Sequence, residues 1–173
     1  QMAVVEMIDL EIPEPVHRRL RGYSFDPSLS VSLDTALINE AVFKVRWEKN
    51  LRAGPISEYF EVIDHDPASD CFYSPVDLDH PHILARDGLD PSESNPQFHQ
   101  QMVYAVAMTT VENFEKALGR RALWSSYRRV LKDGKWIELD EFIKKLRIYP
   151  HALRQANAYY SPRKKALLFG YFP

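Results

Sequence analysis

The chain has 173 residues, of which 45% are hydrophobic and 27% charged, with a net charge of −2. That suffices for one domain, or for one lobe of a larger protein, spanning 1–173. No run approaches the ~18 apolar residues of a membrane span, and no basic segment followed by an apolar one resembles a signal peptide, so the expectation is a cytoplasmic chain without a membrane partner. Cys71 is the single cysteine, which excludes an internal disulfide.

The charge is unevenly spread. Residues 1–114 hold 8 basic and 19 acidic side chains, whereas 115–173 hold 14 basic and 5 acidic. A basic half can mark nucleic-acid contact. Here the basic residues are scattered and follow no such motif, so no nucleic-acid partner is expected. Attraction between the two halves, or to another acidic surface, accounts for the asymmetry.

Residues 1–94 read as strand-rich with an irregular start. Ile12-Pro13-Glu14-Pro15 and Asp26-Pro27-Ser28 interrupt regular structure, because proline lacks an N–H and biases the residue before it toward extended geometry. A short helix fits 32–39. From Ala41, Phe43, Val45 and Trp47 alternate with Lys44 and Arg46, the period of a half-buried strand. Further strands are predicted at 59–63 and 71–76. The Asp64–Asp70 segment between them resembles a calcium loop only superficially, since it lacks the central glycine. An Asp/Pro/Ser hairpin turn explains it better. His80-Pro81-His82 places two imidazoles close together without a third ligand at suitable spacing, so surface loop residues are expected there rather than a metal site.

Residues 95–173 read as a long helix, a short helix and an edge hairpin. Asn95-Pro96 is a cap followed by a first-turn proline, and Gly119 is a stop, which bounds a helix at about 97–118. Phe98, Met102, Val103, Val106, Ala107, Thr110, Phe114, Ala117 and Leu118 form its expected apolar face. His99, Gln100 and Gln101 occupy the first turn, where polar residues are usually solvated. Trp124, Tyr127, Val130 and Leu131 continue a helix-like spacing, Lys132-Asp133-Gly134-Lys135 is a turn, and Leu139–Leu146 reads as a short amphipathic helix. Strands follow at 147–149, 156–160 and 166–171, the last two flanking a hairpin tip at Ser161-Pro162-Arg163-Lys164-Lys165.

No nucleophile elbow, phosphate-cradling loop, dinucleotide fingerprint or Cys-x-x-Cys is present. Cys71, beside Phe72 at a strand start, reads as structural. Taken alone, the pattern specifies an α+β fold and no chemistry.

Two segments carry a resemblance. Asn157-Ala158-Tyr159-Tyr160, a turn, then Leu168-Phe169-Gly170 resembles the edge hairpin of thermolysin-like zinc peptidases, the gluzincins. The helix from Asn95 to Gly119 is similar to the long helix that family places before this hairpin. As a whole, the chain resembles the front portion of bacterial proteins grouped with these peptidases. The resemblance implies a curved, mainly antiparallel sheet packed against the long helix, with a C-terminal β-hairpin, as in the gluzincin amino-terminal lobe. It implies that an extended peptide or protein substrate lies along the edge strand, held by the Asn157 side chain and the Ala158 carbonyl, with Tyr160 as a wall. The family has a different aromatic at the position of Tyr160.

The resemblance also implies that zinc belongs to the full-length protein, on a His-Glu-x-x-His helix and a C-terminal catalytic lobe that this chain does not contain. The chain itself is then expected to hold no catalytic residue, no metal ligand and no cofactor. Apolar residues near the tail, Leu168, Phe169, Tyr171 and Phe172, are expected to lie exposed where that lobe would cover them. The alternative is a stand-alone module that binds a protein or peptide without peptidase activity.

Overall fold

The alternation at Ala41–Trp47 becomes a strand with its odd-numbered side chains turned inward. In the computed structural model, which describes residues 13–25, 39–124, 127–140 and 143–172, β1 (His17–Tyr23) pairs antiparallel with β2 (Glu40–Arg46). Leu20 and Val45 point from this ribbon into the core. The helix expected at 32–39 lies almost wholly outside the described residues.

Four strands make the largest sheet: β3 (Phe60–Val62), β8 (Leu146–Leu153), β10 (Ala166–Gly170) and β9 (Ala158–Ser161), in that spatial order. β3 and β10 both run parallel to β8, whereas β9 runs antiparallel to β10 and forms the sheet's edge. Three antiparallel two-stranded ribbons complete the set: β1–β2, β4 (His65–Asp66) with β5 (Cys71–Phe72), and β6 (Tyr127–Lys132) with β7 (Lys135–Asp140). The fold is mixed α+β, with several small sheets in place of one mainly antiparallel sheet. Parallel pairing of β3 with β8 requires a long crossover, and a crossover leaves no mark on the local pattern of either strand. The β4–β5 ribbon does close over a turn, at 67–70 within the Asp64–Asp70 segment, with Asp70 at φ 46°.

The short helix expected at 139–146 does not form among the described residues of that segment, whose two ends are strand. β7 extends to Asp140 and β8 begins at Leu146. Asp133 and Gly134 both have positive φ, 51° and 73°, the two-residue hairpin geometry that matches the right-handed twist of paired strands. That turn commits both flanks to β6 and β7, and the spacing at 124–131 is likewise strand from Tyr127 on.

The long helix forms within a residue of its expected bounds. After a four-residue helix α1 (Pro81–Leu84), α2 runs Pro96–Leu118. The Asn95 side chain accepts from the Gln97 amide at 3.0 Å, and Gly119 closes the helix at φ 65°. Its buried stripe differs from the expected one. Phe98, Gln100, Gln101, Tyr104, Ala105, Met108 and Val111 face the core, whereas Val106 (42% exposed), Phe114 (61%) and Leu118 (51%) do not. The helix has two apolar faces. One packs on β1–β2 and the sheet, and the other lines an open groove.

Glu115 ties the C-terminal turn of α2 to the core. It accepts from the Tyr59 hydroxyl (2.5 Å), the Ala122 amide (2.9 Å) and Arg46. Burial pushes its carboxyl up, but the hydrogen bonds from Tyr59, Arg46 and Ala122 outweigh this and bring it down to about 2. A pKa lower in the folded than in the unfolded chain means stability that is present above the ordinary value of 4.5 and lost as pH falls toward about 2. Glu115→Gln is expected to lower stability at pH 7 by about 2 kcal/mol, after allowance for solvent screening, and to flatten that acid-side decline. Urea unfolding at pH 7 and pH 3 checks it; the same loss at both would contradict the assignment.

Candidate functional site

The carboxyl ends of the three parallel-running strands lie at one end of the sheet, where open α/β sheets commonly bind ligands. Asp64 follows β3, His151 lies near the end of β8 and Tyr171 follows β10. The first turn of α2 brings His99 and Gln100 to the same place. His151 Nδ1 is 2.6 Å from Asp64 Oδ1, and His151 Nε2 is 2.8 Å from His99 Nδ1. Gln100 donates to the other Asp64 oxygen at 2.8 Å and accepts from the Val76 amide at 2.8 Å. Tyr171 donates to Asp66 at 2.6 Å, and the rings of Tyr73 and Tyr171 pack against His151.

His151 uses both ring nitrogens, Nδ1 toward Asp64 and Nε2 toward His99. Burial, followed by the neighbouring His151, lowers the pKa of His99, which favours its neutral form. The hydrogen bond from Tyr171 holds Asp66 below the usual carboxylate range, against the effect of burial. Asp64, His151 and His99 form one hydrogen-bonded chain. It clasps α2 to the ends of β3 and β8.

The first-turn glutamines are therefore not solvated. Gln100 and Gln101 are both fully buried, and Gln101 bridges the Leu89 amide and the Arg21 carbonyl at 2.8 Å each. Gly88 sits against the Gln101 side-chain amide at φ 100°, where a Cβ would come within 2.8 Å of it. A polar residue flanked by Phe98 and Tyr104 on a core-facing stripe was the available signal for burial.

β9 begins at the same end of the sheet. The Gly170 amide donates to the Asn157 carbonyl at 2.7 Å, and hydrogen bonding alternates along an antiparallel pair. Tyr159 and Ser161 therefore bond to β10. The main-chain groups of Ala158 and Tyr160 face away from the sheet, toward an edge that no strand among the described residues pairs. The loop 154–157 folds so tightly over Gly170 that a Cβ there would lie 2.0 Å from the Gln155 carbonyl oxygen, so only glycine fits. Asn157 is exposed, and among the described residues its side chain has no hydrogen-bond partner.

The expected site residues thus come together. Asn157, Ala158 and Tyr160 lie on one exposed edge, with Tyr160 47% exposed. Strand register continues this edge into the apolar groove. Val62, Ile148, Leu167 and Tyr160 are successive partners across all four strands and share one face. On that face, Phe60, Ile148, Leu167 and Phe169 form one wall of a cavity of about 520 Å³, and Val106 and Phe114 of α2 form the opposite wall. Of the tail residues expected to be exposed, Phe172 is, Phe169 and Tyr171 are half-buried, and Leu168 is in the core.

The rings of the two loop histidines stack on each other at 5.5 Å. His80 caps α1, with Nδ1 accepting from the His82 amide at 3.3 Å. Cys71 is half-buried in β5. Among the described residues, no three His, Cys, Asp or Glu side chains converge as metal ligands, and no helix is long and apolar enough to cross a membrane. No protein-family model, curated protein or solved structure matches the chain.

Proposed function

We propose that this chain is the substrate-cradling amino-terminal lobe of a thermolysin-like zinc peptidase, and that it receives an extended peptide along β9. The observation that carries this reading is the free main chain of Ala158 and Tyr160 on an edge strand beside an apolar groove. An extended peptide adds to such an edge through main-chain hydrogen bonds, which fix its register before any side chain is read. Asn157, exposed at the head of the strand, is placed to bond the peptide backbone, and Tyr160 closes the groove side.

The groove between α2 and the sheet has the form expected of the seat for a following helix, and in this reading that helix carries His-Glu-x-x-His. Zinc chemistry then belongs to the C-terminal lobe and is assigned to no residue of this chain. The sheet edge, the long helix and the C-terminal hairpin support the likeness to the gluzincin lobe. The alternative, a stand-alone peptide-binding module, uses the same edge and lacks the catalytic lobe. The residues encoded beyond Pro173 separate the two: a His-Glu-x-x-His supports the peptidase, and a stop codon the module.

The edge is tested with a panel of unstructured hexapeptides of Ala, Val and Phe, titrated into the chain and followed by NMR. Asn157→Ala is expected to leave folding nearly intact and to weaken binding by about tenfold, the loss of one good hydrogen bond. Unchanged affinity across the panel would reject the role given to Asn157.

A further inference from the structure

The opposite face of the sheet carries a second cavity, of about 530 Å³, whose chemistry is the reverse of the apolar groove. Its floor is the register pair of Glu61 and Arg147, near the amino end of β8. Its walls come from three segments distant in sequence: Arg52, then Lys144 and Lys145, then the β9–β10 turn with Arg163 and Lys164. Among the described residues Glu61 is the one carboxylate in the lining, and it is engaged by Arg147 Nε at 3.4 Å. Lys145 turns its ammonium onto the Ser57 carbonyl.

Folding has thus gathered like charges that repel one another, in a chain whose net charge is −2. A concave wall of one sign focuses its field and concentrates counter-ions of the other. The volume lies within the range of small-ligand pockets, not of long nucleic-acid tracks. Among the described residues no aromatic ring lines it, so they offer no surface on which a base could stack. Ile56 and Ile143 are its only large apolar members among the described residues. Arginine forks suit phosphate oxygens, and lysines supply point charges around them.

We infer that this cavity is a binding site for a small, flexible, non-aromatic oligoanion of the oligophosphate class. It lies on the opposite face from the groove, at the opposite end of the parallel strands from Asp64 and His151, and it stands independently of the peptide edge.

The test titrates inorganic triphosphate into the full chain by calorimetry at about 50 mM salt, where surface electrostatics are only partly screened. One site per chain is expected. Arg163→Glu with Lys164→Glu, both on an exposed turn, should weaken binding by about thirtyfold or more, whereas Arg52→Gln on the opposite wall should weaken it by about threefold to tenfold. Lys44→Glu with Lys116→Glu makes the same change in net charge away from the cavity and should change affinity by less than about threefold. Circular dichroism establishes that each variant is folded. Absence of saturable binding, several weak sites per chain, or equal weakening by the two double variants would overturn the inference. So would tighter binding of a single-stranded oligonucleotide or of hexaglutamate than of triphosphate, which would assign the cavity to a macromolecular polyanion.

Discussion

Asp64→Ala is expected to lower the unfolding free energy by about 3–4 kcal/mol, the effect of breaking a buried, charge-assisted network by removing one member. The Asp64 carboxylate is nearly fully buried and accepts from His151 and Gln100 at once. Its removal strands the His151 Nδ1–H, and leaves the Gln100 amide with only the longer bond to the Ser74 carbonyl at 3.2 Å. The first turn of α2 then loses its clasp on the ends of β3 and β8. Asp64→Asn keeps an acceptor for His151 but sets an amide against the Gln100 amide, so a smaller loss is expected. Urea denaturation with a common slope measures both. A loss below about 1 kcal/mol for Asp64→Ala would show that the network is not what joins helix and sheet.

Proline along β9 should separate fold from binding. Proline removes one N–H, and the consequence depends on which way that group points. At Ala158 the N–H faces the free edge, and edge strands tolerate proline there. Ala158→Pro is therefore expected to cost less than about 1 kcal/mol of stability yet to weaken extended-peptide binding by tenfold or more. At Tyr159, paired with Leu168, the N–H belongs to the ladder with β10. Tyr159→Pro is expected to cost about 2–3 kcal/mol through the lost bond and strain. Thermal unfolding together with hexapeptide titration reads both quantities. Equal destabilisation by the two prolines would mean that the assigned bonding alternation is wrong.

How much of this was legible follows from how local each signal is. The caps of α2 were readable because Asn95-Pro96 and Gly119 act on their own neighbours. The β9–β10 hairpin was readable because its two strands are adjacent in sequence. The stripe that α2 buries was not, because both of its faces are apolar and only the position of β1–β2 and the sheet decides between them. The parallel pairing of β3 with β8 was hidden for a related reason: Phe60 and Leu146 meet only after the whole of α2 and the β6–β7 ribbon have intervened. The site divides the same way. Asn157, Ala158 and Tyr160 are neighbours and were found together. Asp64, His99 and His151 lie far apart along the chain, and nothing in their spacing announces a contact. The turn at Lys132–Lys135 was legible for the same local reason, but the amphipathic spacing of 139–146 passed for a short helix, whereas β7 runs to Asp140 and β8 opens at Leu146.

The most direct test of the central claim is residue-resolved amide hydrogen exchange along β9, with and without a bound hexapeptide. In the free chain, the amides of Tyr159 and Ser161 should exchange slowly and those of Ala158 and Tyr160 rapidly. Addition of the peptide should protect Ala158 and Tyr160 and leave the other two nearly unchanged. Protection of all four amides before any peptide is added, or protection on binding that falls elsewhere in the chain and spares Ala158 and Tyr160, would contradict the account.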